Sequence, residues 1–402
     1  MSERGALSLA ALDWLAGPAG AAVLDELAGD DLSEMHTLAL LTRLRKQVAP
    51  ELAGAALAMA RLRQKAVPKF GELAPRLFFT PEALEQASDP HIRRYRAAGS
   101  HGQTALDVCC GIGSDALALA QAGAAVTGLE LDPLRVAIAR YNAAACGLTI
   151  PVEQVDVTHG IPSGADLIFY DPARRDASGQ RLLHVDRYQP PLALIRGWRA
   201  GRILVKLAPG VDLAQLRPYG GTVEFISVNG DLKEAVLRCD SATMGTPAPL
   251  TTRATLITPD GVQHWQRDRL PQVATAAPRA WLLEPDAALL RAGLVQDAAA
   301  AWDATLLDES IAYLTTDAPP ATPWARAWRI LGWLPFHLKK LRHTLRAQQV
   351  GHITVKKRGS PITPEALIAQ LGLTTGPESR TLVLTRLRGQ PIVLICADYQ
   401  PA

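Results

Sequence analysis

The stretch ALDVCCGIGSDALALA, residues 105–120, restricts the fold of this chain more than any other. It opens as a short strand through Asp107, turns through Gly111 and Gly113, and continues with alanine and leucine at helical spacing. Glycine permits the positive φ that so tight a turn needs. A strand that feeds a helix this abruptly belongs to a layered sheet on which the helix folds back. The alternation then repeats. AAVTGLEL reads as a strand, and DPLRVAIARYNAAACG as a helix with Pro133 at its start and Gly147 past its end. PVEQVDV, ADLIFYDP and GRILVKLAPG supply further strands. This order predicts an α/β fold, a doubly wound sheet of parallel strands. GTVEFISVNGDLKEAVLRC comes next as two strands joined through Asn229, Gly230 and Asp231, an antiparallel hairpin. A hairpin closing such a sheet departs from the standard dinucleotide-binding plan.

The acids around the glycine turn narrow the ligand. Glu130 ends the second strand, 23 residues after Asp107, where an acid can take ribose hydroxyls. Asp156 ends the third strand, within reach of an adenine amine. Gly111, Gly113 and Ala116 also fit a dinucleotide fingerprint loosely. A pyrophosphate, however, needs a helix N-terminus free of negative charge. Here Asp107 precedes the turn and Asp115 sits in the first helical turn. S-adenosylmethionine carries a sulfonium and an ammonium instead of phosphates, so the acids favour it over NAD. Asp115 also suits the helix dipole by itself, and that alternative stays open.

The expected halves on either side differ. Residues 1 to about 70 carry apolar residues at three- and four-residue spacing and read as helices. Arg61, Arg63, Lys65 and Lys69 close the third of these, either complementing its dipole or contacting nucleic acid. FFTPEALEQASDPHIRRYRAAG begins a further helix, with Thr80 as N-cap, Pro81 at the first position and Glu82 in the first turn. Residues 241 to about 320 are rich in Pro, Thr and Ala and read as a boundary. The last segment mixes two helices and three strands, a small α+β domain.

With 402 residues, 48% of them hydrophobic, the chain has material for two or three cores. The five cysteines show no C-x-x-C pairing, which argues against zinc and against a disulfide framework. His159, His184, His337, His343 and His352 lack metal-ligand spacing. No signal peptide or 18-residue apolar run is evident, so the expectation is a soluble cytoplasmic protein without a metal. The net charge of +3 is unevenly spread. Residues 325–402 hold twelve basic residues against three acidic ones, a net of +9 that leaves −6 elsewhere. That asymmetry points to a polyanion, with a solvated basic face as the plain alternative. The sharpest basic features are Lys339, Lys340, Arg342 and Arg346 on one helix and Lys356, Lys357 and Arg358 at a strand end. The second run also suits an edge strand charged against aggregation. Trp324, Trp328 and Trp333 read as core, with base stacking by Trp328 the sharper alternative.

On these motifs, residues 76–240 resemble class I S-adenosylmethionine-dependent methyltransferases. FFTPEALEQAS ahead of the glycine turn is most similar to the trimethylguanosine synthase branch and related RNA methyltransferases. LPFHLKKLRHTLRAQQVGHITVKKRG, with PEALIAQLGL and SRTLVLTRLRGQPIVLI after it, resembles the THUMP-like domain found behind such enzymes in bacterial proteins. The resemblance implies a Rossmann-like sheet flanked by an N-terminal helical domain (1–75), a linker and start of the C-terminal region (241–324) and a basic THUMP-like domain (325–402). It implies that Asp107, Gly111 and Gly113 line the donor's methionine end, Glu130 takes its ribose and Asp156 its adenine edge. Cys109, Ile112 and Asp115 complete that set.

DLIFYDPARRD is then the catalytic strand, with Asp171 and Pro172 beside the sulfonium methyl. Amino-group methyltransferases often carry Asp/Asn-Pro-Pro-aromatic there. Ala173 and Arg174 replace the second proline and the aromatic, which weakens an amino-methylation reading. Arg174 can stack on a base or grip a phosphate. Uracil-C5 chemistry would need a nucleophilic cysteine, and none stands in a catalytic context. A plain turn, with Arg174 or Arg175 paired to Asp176 or Asp186, is the bland alternative. The expected activity is methyl transfer to a nucleotide in structured RNA. The alternatives are a silent donor-binding RNA or assembly protein, or an enzyme acting on DNA or protein.

Overall fold

The computed structural model describes residues 7–175, 179–180, 182, 184–240, 249–267, 271–373 and 376–400. Its contacts divide the chain into two compact units, Met1–Thr222 with Val236–Leu250, and Val223–Ala235 with Thr251–Ala402.

The first unit begins with six helices: α1 (Leu9–Ala16), α2 (Pro18–Ala28), α3 (Thr37–Leu44), α4 (Pro50–Phe70), α5 (Pro81–Gln86) and α6 (Pro90–Ala97). Then strands and helices alternate: β1 (Thr104–Val108), α7 (Ser114–Gln121), β2 (Ala125–Glu130), α8 (Pro133–Ala145), β3 (Val152–Gln154), β4 (Ala165–Tyr170) and β5 (Ala200–Leu207). The strand order is β3-β2-β1-β4-β5, all parallel. The order reverses at β1 and β4, so the crevice beyond their carboxyl ends is where such a sheet takes ligands.

The caps explain where the helices start. The Thr80 side chain accepts from Ala83 N–H at α5, and Asp132 accepts from Leu134 and Arg135 N–H at α8. The N-terminal helices, expected as a domain ending at residue 75, do not form a separate core. Leu12, Leu27, Leu57 and Phe79 share one apolar cluster with Ile112 of the glycine turn and Ile138 of α8. The boundary at 75 therefore cuts through one core.

β6 (Thr222–Val228) leads through Asn229 (φ 50°) and Gly230 (φ 81°), both in the second unit, into β7 (Asp231–Asp240), whose second half returns to the first. Two successive left-handed residues are what a two-residue hairpin loop requires, as expected for this Asn-Gly pair. β6 neighbours β8 (Thr251–Thr258), which pairs antiparallel with β9 (Gly261–Gln266). A seven-stranded sheet is built from the rest: β10 (Trp281–Pro285), α9 (Ala287–Arg291), α10 (Val295–Ala301), β11 (Thr305–Asp308), β12 (Ile311–Thr316), β13 (Ala325–Pro335), α11 (Leu338–Ala347), β14 (Val350–Lys357), α12 (Pro364–Leu371), β15 (Glu378–Leu387) and β16 (Gln390–Gln400). Its order is β11-β12-β10-β13-β16-β15-β14. The segment expected as a linker and start of the C-terminal region forms β8 to β12 with α9 and α10, and β10 to β12 belong to the same sheet as the last segment. Among the described residues, no helix is long and apolar enough to cross a membrane.

Candidate active site

The glycine turn lies at the carboxyl end of β1. Cys109 takes a left-handed φ of 62°, and Gly111 and Gly113 come after it at 56° and 82°. A Cβ on Gly111 would meet nothing within 4 Å, so the backbone there faces open space. A Cβ on Gly113 would lie 3.3 Å from that of Ala139, so this glycine lets the turn pack on α8. Asn142, 1% exposed on α8, locks the arrangement. Its amide accepts from Phe78 N–H (2.8 Å) and donates to the carbonyls of Phe78 (3.1 Å) and Ile112 (3.0 Å).

Glu130 holds the turn from β2. Its carboxylate accepts from Gly111 N–H (2.8 Å), Leu131 N–H (3.0 Å) and Asp132 N–H (3.1 Å). Asp156, partly buried after β3, accepts from the Thr158 backbone (2.9 Å) and hydroxyl (2.6 Å) through one oxygen. Those bonds hold its carboxyl below the usual range.

Asp107 differs from both. It is 1% exposed, and neither oxygen has a hydrogen-bond partner among the described residues. Burial, then the charges of Asp115 and Asp171, push its carboxyl well above the usual range, which Ala116 N–H and Arg96 only partly offset. A buried, unsatisfied carboxyl is costly and calls for an explanation. A cationic ligand would satisfy it, and the nearby Gly111 backbone faces open space. Asp115, expected in the donor set, is already engaged. Its carboxylate is ion-paired with the buried Arg96 of α6. Burial opposes its charge, but Arg96, Lys206 and Arg93 outweigh burial and hold its carboxyl low. Cys109 and Cys110 are held as thiols by burial and by neighbouring acids, Glu130 and Asp107 respectively. Neither is suited to act as a nucleophile.

At the end of β4, Asp171 N–H donates to Val108 O (3.2 Å), which sets its carboxylate beside the glycine turn. Pro172 is buried and Ala173 bridges Gln189 in both directions (2.8 and 3.0 Å). Arg174 is partly buried, and its guanidinium has no hydrogen bond or ion pair among the described residues. Arg175 instead reaches Glu85 of α5 (3.0 Å), and Asp186 meets the Tyr219 hydroxyl (3.5 Å). Asp176 lies outside the described residues. Sequence reading missed the nearest charged neighbour altogether. Lys206 of β5 donates to Asp171 Oδ2 at 2.7 Å and to Gln86 O at 3.0 Å.

The N-terminal cations have structural work. Arg61 donates to the carbonyls of Leu32 and Ser33 (2.8 and 3.1 Å), and Arg63 to that of Leu77 (3.0 Å). Lys69 caps α5 through Leu84, Glu85 and Ala87 O, each at 2.8 Å. Neither the dipole of α4 nor a nucleic acid is needed to account for these three.

In the second unit the basic residues divide. Lys356 pairs with Glu284 of β10 at 2.6 Å and lies 4.3 Å over the Trp328 ring. Arg358 meets Glu284 (3.7 Å) and Ala312 O (3.0 Å), and Arg342 meets Gln370 O. Trp324 and Trp328 are core at 3% and 4% exposure, whereas Trp333 is 40% exposed, against expectation. Lys339, Lys340, Arg346 and Lys357 are exposed, without an ion pair or side-chain hydrogen bond among the described residues. Over the whole unit, eighteen basic residues face fifteen acidic ones, so the net charge is +3 and the cations left unpaired matter more than the total.

Comparison with known proteins agrees with this geometry. Residues 105–170 match a methyltransferase domain family, 325–398 a THUMP domain-like family, and 8–66 a domain family of unknown function, DUF8688. A Mycobacterium tuberculosis protein described as an uncharacterised S-adenosylmethionine-dependent methyltransferase is 34% identical over 334 residues, 81% of this chain and 90% of that one. A Porphyromonas gingivalis W83 structure described as a "putative methyltransferase" superposes with a TM-score of 0.72 at 20% identity, covering 92% of this chain and 99% of that one, and shares the fold. The chain belongs to the S-adenosylmethionine-dependent methyltransferases, with a class I sheet and a THUMP-like domain, and its cofactor is S-adenosylmethionine.

Proposed function

We propose that this enzyme methylates a nucleotide in structured RNA, with the first unit carrying the chemistry and the second holding the RNA. One observation carries the RNA half of this reading. The segment matched by the THUMP domain-like family presents Lys339, Lys340 and Arg346 unpaired on α11, together with Lys357 at the end of β14. Unpaired surface cations in a row are what a phosphate backbone recruits. Arg342, Lys356 and Arg358 are assigned to the fold instead.

S-adenosylmethionine supplies, when bound, an electrophilic methyl on a sulfonium. Asp107 offers its unsatisfied carboxyl to the donor's cationic end, Gly111 and Gly113 let the backbone approach, Glu130 faces the ribose and Asp156 the adenine edge. Cys109 and Ile112 shape the turn. Asp171 accepts a hydrogen bond from the acceptor group and aims it, a positioning role with modest acid–base content. Pro172 stiffens the strand end, and Arg174 contacts the nucleotide's phosphate or base. The missing aromatic after Pro172 keeps one rival reading in view, a donor-binding RNA protein without transfer.

The test uses purified protein, tritiated methyl donor and total RNA from cells lacking this gene. Counts that RNase removes, and DNase and protease do not, support the proposal. Counts removed by DNase or protease reassign the acceptor. Absence of counts in every pool, with calorimetric donor binding intact, favours the rival.

A further inference from the structure

Lys206 is a charged residue of the site that the chemistry above does not use. It lies near the end of β5 at 3% exposure. Burying an ammonium costs several kcal/mol unless it is paired and hydrogen-bonded. The structure meets that cost with Asp171 Oδ2 at 2.7 Å and Gln86 O at 3.0 Å. These partners come from separate elements, the end of the catalytic strand and the last residue of α5. Around them stand Asp107 of β1, Asp115 of α7 with Arg96 of α6, and Lys69 of α4, whose ammonium caps the same end of α5. Arg96 is ion-paired with Asp115, and Lys206 is ion-paired with Asp171. The Asp171 side chain remains 25% exposed, and its Oδ1 has no partner among the described residues.

We propose that Lys206 is a positioning residue for methyl transfer. By claiming Oδ2 it fixes the Asp171 rotamer and leaves Oδ1 for the acceptor. By binding Gln86 O it ties the α5 turn to the same carboxylate. This inference rests on the role of Asp171 proposed above.

The experiment is a double-mutant cycle with Lys206→Met, Asp171→Asn and both together, reading turnover, donor Kd by calorimetry and melting temperature. Displacement of a reacting group by about 1 Å costs about 100-fold in rate. Lys206→Met is therefore expected to lower turnover about 100-fold with donor Kd within about threefold. Residues acting as a unit are non-additive. The double variant should be no slower than Asp171→Asn alone, and its melting temperature should recover from the fall caused by Lys206→Met, because no unpaired carboxylate remains. Lys206→Arg, which keeps the charge, should regain about tenfold, and it serves as the comparison if Lys206→Met does not fold. Turnover within about threefold of wild type in Lys206→Met, or multiplicative losses in the double variant, overturns the inference while leaving Asp171 in place. Full turnover by Asp171→Asn overturns the Asp171 assignment and this inference with it.

Discussion

Replacing Asp107 with asparagine should stabilise the protein while weakening donor binding, the reverse of the usual effect at a buried position. Asp107 is 1% exposed, and both its oxygens lack a hydrogen-bond partner among the described residues. Burial, with Asp115 and Asp171 adding to it, raises its carboxyl well above the ordinary value of 3.8. A carboxyl raised on folding contributes stability that is complete below the unfolded value and is lost as pH rises through the folded value. Each pH unit in that window is worth about 1.4 kcal/mol, or about 3–6 °C in melting temperature for a unit of 150–250 residues. Asparagine removes this penalty, so at about pH 8 and without donor the variant should melt higher than wild type. With the donor's ammonium and sulfonium beside Asp107 as proposed, they would favour the ionised carboxylate, and binding should expel a proton. Wild-type donor affinity should therefore fall by up to about tenfold per pH unit below the raised value, and the variant's should not change. Loss of a hydrogen bond to a charged group, about 1.5–3 kcal/mol, weakens binding about 10- to 150-fold. Calorimetry in two buffers of different ionisation enthalpy counts the proton, and thermal melts give the stability. No proton release on donor binding at any pH above the ordinary carboxylate range, with equal donor affinity in the variant, would refute the placing of Asp107 against the donor.

Two further outcomes separate fold from recognition. Lys69→Met removes the donor to three carbonyls at the end of α5 and should cost about 1–3 kcal/mol in a thermal melt, leaving RNA affinity in filter binding unchanged. The triple reversal Lys339→Glu, Lys340→Glu and Arg346→Glu should weaken RNA binding at least about tenfold and reduce its salt slope by about 2–3, with donor Kd unaffected. An unchanged slope would move the RNA surface elsewhere.

Much of the first unit was legible because its signals are local. The glycine turn and the Thr80 cap each depend on a few consecutive residues, as does the Asn229-Gly230 hairpin of the second unit, and each folds as its chemistry requires. Charges were less legible, since their partners are distant in sequence. Lys206 in ILVKLAPG reads as one polar residue in a strand, and its bond to Asp171 spans 35 residues. Arg63 and Lys69 resemble a basic patch until the carbonyls they satisfy are seen. Lys356 loses its phosphate-binding character to Glu284, which lies in the stretch expected to be linker. Asn142 gave no signal among the alanines of α8, yet it joins Phe78 to the glycine turn.

One carboxylate at the end of β4 is proposed to deliver the acceptor to a donor held by β1 and β2. Donor Kd and tritium transfer into RNA, measured on one preparation of Asp171→Ala, test this role most directly. Donor affinity within about threefold of wild type, with transfer lowered at least about 100-fold, is the expected result. Transfer near the wild-type rate would contradict it.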